Sequence, residues 1–273
     1  MTEPALDPKT QALQEALAKY GGPVSAMDRP SFLKNYIYGD YKVGKTVLAC
    51  KCGRRPLLFA TDPGWVSLKD WPELAHVEVI ECQGLKHYET FVKGLGAGIP
   101  IYREFDHVVV DPWSKLVDMY IDWLQDNVTP STADARVYWQ TKSNKTDPSA
   151  TSFSTAGMGD YQAVRNHFRR SVYPLLAVQK HITLVAHLRE PGFADKVKTL
   201  RSSVPAKTHE MIAREVDFIS LMEAEGDKRT ISFVANNRQD AGSRFRDLHG
   251  KTINADDLPR LYERWTVKGT FSE

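Results

Sequence analysis

Cysteine is scarce in this chain: Cys50, Cys52 and Cys82 are the only three among 273 residues. That is too few for a disulfide framework and suits a reducing cytoplasm, the expected location. Cys50 and Cys52 form a Cys-x-Cys pair, but a tetrahedral zinc site needs more ligands and no second pair exists, so buried thiols near a helix end are expected. An excess of one charge is also lacking. The 36 Lys and Arg against 34 Asp and Glu leave a formal charge of +2, which excludes a histone-like cation and means any polyanion must be held by local patches. No run approaches the roughly 18 to 20 apolar residues of a membrane helix, so no membrane partner is expected. The opening MTEPALDPKTQALQE is acidic and polar where a secretion signal is basic and then apolar.

What is present is the composition of a globular protein, 42% apolar and 26% charged. Leu13, Ala16 and Leu17 recur at helical spacing between Pro8 and Tyr20, and Gly21-Gly22-Pro23 then breaks the pattern. From Phe32 apolar runs alternate with helical stretches. The expected strands are Asn35 to Tyr38, Pro56 to Ala60, Val77 to Glu81, His107 to Val110, Ile182 to Ala186, Asp217 to Met222 and Thr230 to Ala235. This rhythm belongs to an α/β fold with a mostly parallel, doubly wound sheet. The polar stretch from Thr129 to Gly159 reads as a long loop between helices at Ser114 to Asp126 and Asp160 to Val178.

One motif carries explicit chemistry. Gly39-Asp40-Tyr41-Lys42-Val43-Gly44-Lys45-Thr46 fits the pattern G-x-x-x-x-G-K-[ST], with a strand before it and a helix after it. Backbone N–H groups of such a loop turn inward on phosphate oxygens at the positive end of a helix. Lys45 would reach the β- and γ-phosphates of ATP, and Thr46 would offer its hydroxyl to Mg2+. A second magnesium-side carboxylate belongs on the tip of a neighbouring buried strand, and His107-Val108-Val109-Val110-Asp111 supplies Asp111. Pro112 and Trp113 follow it, where AAA+ and helicase types place the catalytic Glu, so the water-activating carboxylate must come from elsewhere. Asp62, after the strand Leu57 to Ala60, is the candidate, with a turn-forming Asp as its alternative role.

The order of these parts resembles the RecA-like ATPase core, and more closely the phage nucleotide-binding proteins that are single-strand annealing recombinases. The resemblance covers about Phe32 to Arg246. Beyond the nucleotide motifs it rests on Asp160-Tyr161, on Ile182 to His187, on Asn237-Arg238 and on Ser243-Arg244-Phe245-Arg246. It implies a RecA-like P-loop core over 29–250, a short helical N-terminal extension over 1–28 and a C-terminal tail over 251–273. It also implies a γ-phosphate sensor at His187 and a cation acting across a subunit boundary, one of Arg238, Arg244 and Arg246 with Arg244 preferred to Arg238, the alternative being a surface patch that pairs with Asp240 and Asp247. The family pattern usually has Glu where Asp62 stands.

By the same resemblance, single-stranded DNA would run along two loops. One carries Arg136, Tyr138, Trp139 and Lys142; the other, Leu188 to Pro205, carries Phe193, Lys196, Lys198 and Arg201. Cations interleaved with aromatics suit phosphates and unstacked bases. The implied partners are single-stranded DNA, further copies of the chain in a ring or filament, and a single-stranded-DNA-binding protein. The implied activity is ATP-dependent strand annealing or exchange in phage recombination, within a host cytoplasm. Other readings of the P-loop are a small-molecule kinase, with the loop from Thr129 as its lid, and a helicase loader or assembly factor, against which Pro112 stands.

Overall fold

The P-loop strand, β1 (Lys34–Gly39), lies inside a nine-stranded sheet whose central members are buried on both faces. The computed structural model describes residues 32–127, 158–189, 202–236 and 239–268. After β1 come α1 (Lys45–Lys51), β2 (Pro56–Ala60), 3₁₀ turns at Pro63–Asp70 and Pro72–Leu74, β3 (Glu78–Glu81), α2 (Leu85–Gly96) and the short α3 (Pro100–Arg103). They are followed by β4 (His107–Asp111), α4 (Trp113–Asn127), α5 (Met158–Ala177), β5 (His181–His187) and α6 (Ala206–Ala213). The last elements are β6 (Phe218–Glu225), β7 (Lys228–Ser232), β8 (Gly242–Ser243), β9 (Thr252–Asn254) and α7 (Leu258–Lys268).

The strand order is β3-β2-β4-β5-β1-β6-β7-β9, with β8 paired to β6. Pairing from β3 through β6 is parallel, and β7, β8 and β9 add on antiparallel. The runs Leu57-Leu58-Phe59 and Val108-Val109-Val110 lack polar alternation because helices cover both faces. Alternate residues still divide between the faces. Tyr36, Tyr38, Phe59, Val108 and Val110 join the layer of α2, α4, α5 and α6. Ile37 faces the opposite side with Leu48 of α1 and Leu258 and Tyr262 of α7, while Leu58 and Val109 pack there with Ala49 and Cys50 of α1.

The expected parallel core and all seven expected strands are present, with bounds shifted by a few residues. β8 and β9 are too short to leave a period-2 signal. The stretch from 251, expected as a tail, is corrected by the structure: β9 extends the sheet, and Leu258 and Tyr262 of α7 are buried in its core. Leu258, Leu261, Tyr262 and Trp265 recur at helical spacing, a signal present in the sequence. Cys50 and Cys52 are buried thiols at the end of α1. The expected N-terminal helix lies outside the described residues. No described helix is long and apolar enough to cross a membrane.

Candidate functional site

The loop between β1 and α1 is shaped by its two glycines. A Cβ on Gly39 would collide with the Met222 carbonyl oxygen of β6, so the strands approach closely only without a side chain there. Gly44 has φ +97, a left-handed conformation that penalises other residues, and α1 starts directly after it. Lys45, on the first turn, folds back so that Nζ donates to the Gly39 carbonyl at 3.0 Å and the Asp40 carbonyl at 2.5 Å. Burial lowers the Lys45 pKa from its ordinary value, while the charges of Asp111, Asp40 and Asp62 oppose that shift.

Asp111 ends β4, separated from β1 by β5 alone. Burial pushes its pKa up to about 6, while the Thr46 side chain and the Lys45 charge pull it down. Oδ2 of Asp111 is buried with no hydrogen-bond partner among the described residues. An orphaned carboxylate oxygen beside a threonine hydroxyl is a hard-oxygen donor set of the kind Mg2+ takes alongside phosphate and water. The residues therefore fit the ion, and Thr46 and Asp111 would hold it. Among the described residues no cluster of three or more His, Cys, Asp or Glu offers an alternative metal cage.

Asp62 follows β2, which pairs directly with β4, and the Thr61 N–H donates to the Asp111 carbonyl at 2.8 Å. One Asp62 oxygen, Oδ1, accepts the Gly64 N–H at 2.8 Å and caps the 3₁₀ turn. The turn role weighed from the sequence is therefore real. It coexists with a place on the cleft wall, where the Asp62 charge acts on Lys45, Asp111 and His187.

His187 is the last residue of β5 and is level with Gly39 in the register. Its ring packs against Tyr41 of the P-loop, with centroids 4.5 Å apart and planes inclined by 30°. Burial lowers its pKa, the Lys45 charge adds to this and Asp62 opposes it, so the imidazole is neutral at physiological pH. Its backbone N–H donates to Ser114 Oγ at 3.3 Å, and its carbonyl accepts the Ser203 N–H at 2.9 Å.

These groups line one cleft of about 510 Å³ that also includes Lys42, Val47, Lys51, Trp71, Met222, Arg229 and Asp256. The Lys51 ammonium sits 3.8 Å from the Trp71 ring centroid on its wall. Arg229 was missed from sequence. A turn at Gly226 marks the β6–β7 hairpin, but nothing local says that its second strand faces the P-loop.

Arg244 is not brought into this cleft. It follows the pairing of Ser243 with Phe218, at the sheet edge away from Gly39. There it contacts the Arg214 carbonyl and pairs with Asp217 at 3.7 Å, not with Asp240 or Asp247. Arg238 lies outside the described residues, as do Arg136, Tyr138, Trp139, Lys142, Phe193, Lys196, Lys198 and Arg201.

A family model described as an AAA domain matches residues 31–245. No curated protein matches the chain. Among solved structures, the crystal structure of the RadB recombinase is similar with a TM-score of 0.42 and 11% identity, over 81% of this chain and 86% of that one. The family match spans the P-loop, Asp62, Asp111 and His187. The chain belongs to the AAA domain family and is a P-loop ATPase.

Proposed function

We propose that this ATPase is a RecA-type protein that binds single-stranded DNA and couples its nucleotide state to strand annealing or exchange, as an oligomer acting in phage recombination. The observation that carries this reading is the position of His187. It stacks on the P-loop through Tyr41, while its carbonyl holds Ser203 and the next residue, Leu188, bridges to Ser202. Both roots of the segment bearing Phe193, Lys196, Lys198 and Arg201 are thus tied to the backbone of His187 and its neighbour Leu188, while the His187 ring faces the nucleotide cleft. A shift at the γ-phosphate that displaces Tyr41 or His187 displaces those roots.

Within the cleft, Lys45 leaves its carbonyl partners to meet the β- and γ-phosphates. Asp62 orients the attacking water through the oxygen not used by Gly64. Bound Mg2+, held by Thr46 and Asp111, would neutralise charge developing on the phosphates. Arg238 or Arg244 of an adjoining copy would supply a further cation in the transition state.

ATP hydrolysis measured with and without single-stranded oligonucleotide tests the proposal. Stimulation by single-stranded DNA, and none by duplex, is expected. A rate indifferent to both would remove DNA from the function.

A further inference from the structure

Arg229 enters the cleft from a direction that the motif residues do not. The order β2-β4-β5-β1-β6-β7 places Asp62, Asp111 and His187 to one side of the P-loop strand and Arg229 to the other. Its Nε donates to the Val43 carbonyl at 3.1 Å, which moors the guanidinium to the loop. The same Nε lies 3.4 Å from where a Cβ on Gly44 would stand. Among the described residues its two terminal nitrogens have no hydrogen-bond or ion-pair partner.

A planar fork held by one edge, with its other donors uncommitted, is suited to a phosphate. A magnesium nucleotide remains anionic, so a guanidinium beside the loop adds a favourable charge to those of Lys42, Lys45 and Lys51 in the same cleft. We infer that Arg229 binds the α- and β-phosphates of the nucleotide in its own subunit, on the side of the P-loop away from the hydrolytic carboxylates. The side selects the phosphates. Hydrolysis requires the γ-phosphate to face Asp62 and Asp111, so a cation on the far side meets the part of the chain that ATP and ADP share. This inference rests on the reading of the cleft as an ATP site.

Calorimetric titration of MgATP and MgADP into the full chain tests it, using the parent, Arg229→Lys, Arg229→Gln, Arg229→Glu and Lys45→Ala. Arg229 is exposed at the start of β7, so these changes leave the core untouched. Arg229→Gln should weaken ATP and ADP by the same factor, about tenfold, as befits one charge-assisted contact. Arg229→Lys should lose less and Arg229→Glu more, whereas a side chain that only braced Val43 would show no dependence on the sign of its charge. Loss for ATP without loss for ADP, or a Glu variant no weaker than Gln, overturns the inference. Parent-like affinity of Arg229→Gln beside a weakened Lys45→Ala overturns it while leaving the ATP site standing. Parent-like affinity of Lys45→Ala overturns both.

Discussion

The Thr46 side chain and the Asp111 carboxylate line the same cleft, where the first turn of the P-loop helix meets the tip of a strand 65 positions away in sequence (111 − 46). Burial raises the Asp111 pKa to about 6, so the anion that would hold Mg2+ is present at neutral pH and is lost as pH falls through that value. Magnesium-dependent nucleotide binding should therefore weaken steeply below about pH 6, and Asp111→Asn should abolish that dependence. The same raised pKa makes the ion a burden to the metal-free fold at neutral pH. Asp111→Asn should raise the melting temperature without nucleotide, and a melting temperature lowered by several degrees would contradict the burial argument.

Asp62 differs, because its chemistry and its cap reside on separate oxygens. Asp62→Asn keeps an oxygen for the Gly64 N–H and should bind ATP with near-parental affinity while hydrolysis falls by about a hundredfold or more. Single-turnover hydrolysis checks this directly. A parental rate would move the catalytic carboxylate elsewhere.

At the opposite end of the central strands, where β4 and β5 begin, His107 and His181 are buried beside Tyr262, Lys34 and Asp106. Burial holds their pKa values down to about 3 and about 4. The Leu33 N–H donates to His181 Nδ1 at 3.0 Å, a bond that exists only while that nitrogen is unprotonated. Unfolded histidines bind protons near pH 6.5 where the folded ones do not, so their contribution is full above that value and drains away towards pH 4 and 3. Asp111, Asp118 and Asp217, whose pKa values burial raises, work in the opposite sense, while His167 and His187, lowered by burial, add to the histidine side. The melting temperature should fall between neutral pH and about pH 4, and less so in His107→Gln. A flat profile would contradict the burial of these rings.

Tyr262 carries the place of the C-terminal helix. Its ring is 1% exposed and stacks on His107 at 5.6 Å. Tyr262→Ala should cost about 3 to 5 kcal/mol, the range for emptying a buried aromatic site. Denaturant melts of the full chain would show it, and a loss below about 1 kcal/mol would return α7 to the status of a tail.

Much of this was legible because the signals are local. The P-loop is a contiguous motif, and a buried parallel strand announces itself as an uninterrupted apolar run, as Val108 to Val110 does before Asp111. Arg229 was illegible because its meaning lies in a hairpin that folds back across β6 to reach Val43, a relationship between positions 186 apart. Tyr41 was legible as part of the phosphate-binding motif alone, since its contact with His187 exists only once β5 lies beside β1. The C-terminal helix was legible in the helical spacing of Leu258, Leu261, Tyr262 and Trp265, but it lies beyond the stretch the resemblance covers and so passed as a tail.

The central relationship is between the nucleotide cleft and the segment rooted at Leu188 and Ser202. Affinity for a fluorescent single-stranded oligonucleotide, measured without nucleotide, with ADP and with a non-hydrolysable ATP analogue, tests it most directly. Binding should be tightest with the ATP analogue, and DNA should tighten the analogue by the same factor. In Tyr41→Ala and His187→Ala the basal affinity should remain and the response to nucleotide should vanish. Equal DNA affinity in all three states of the parent protein would contradict the coupling.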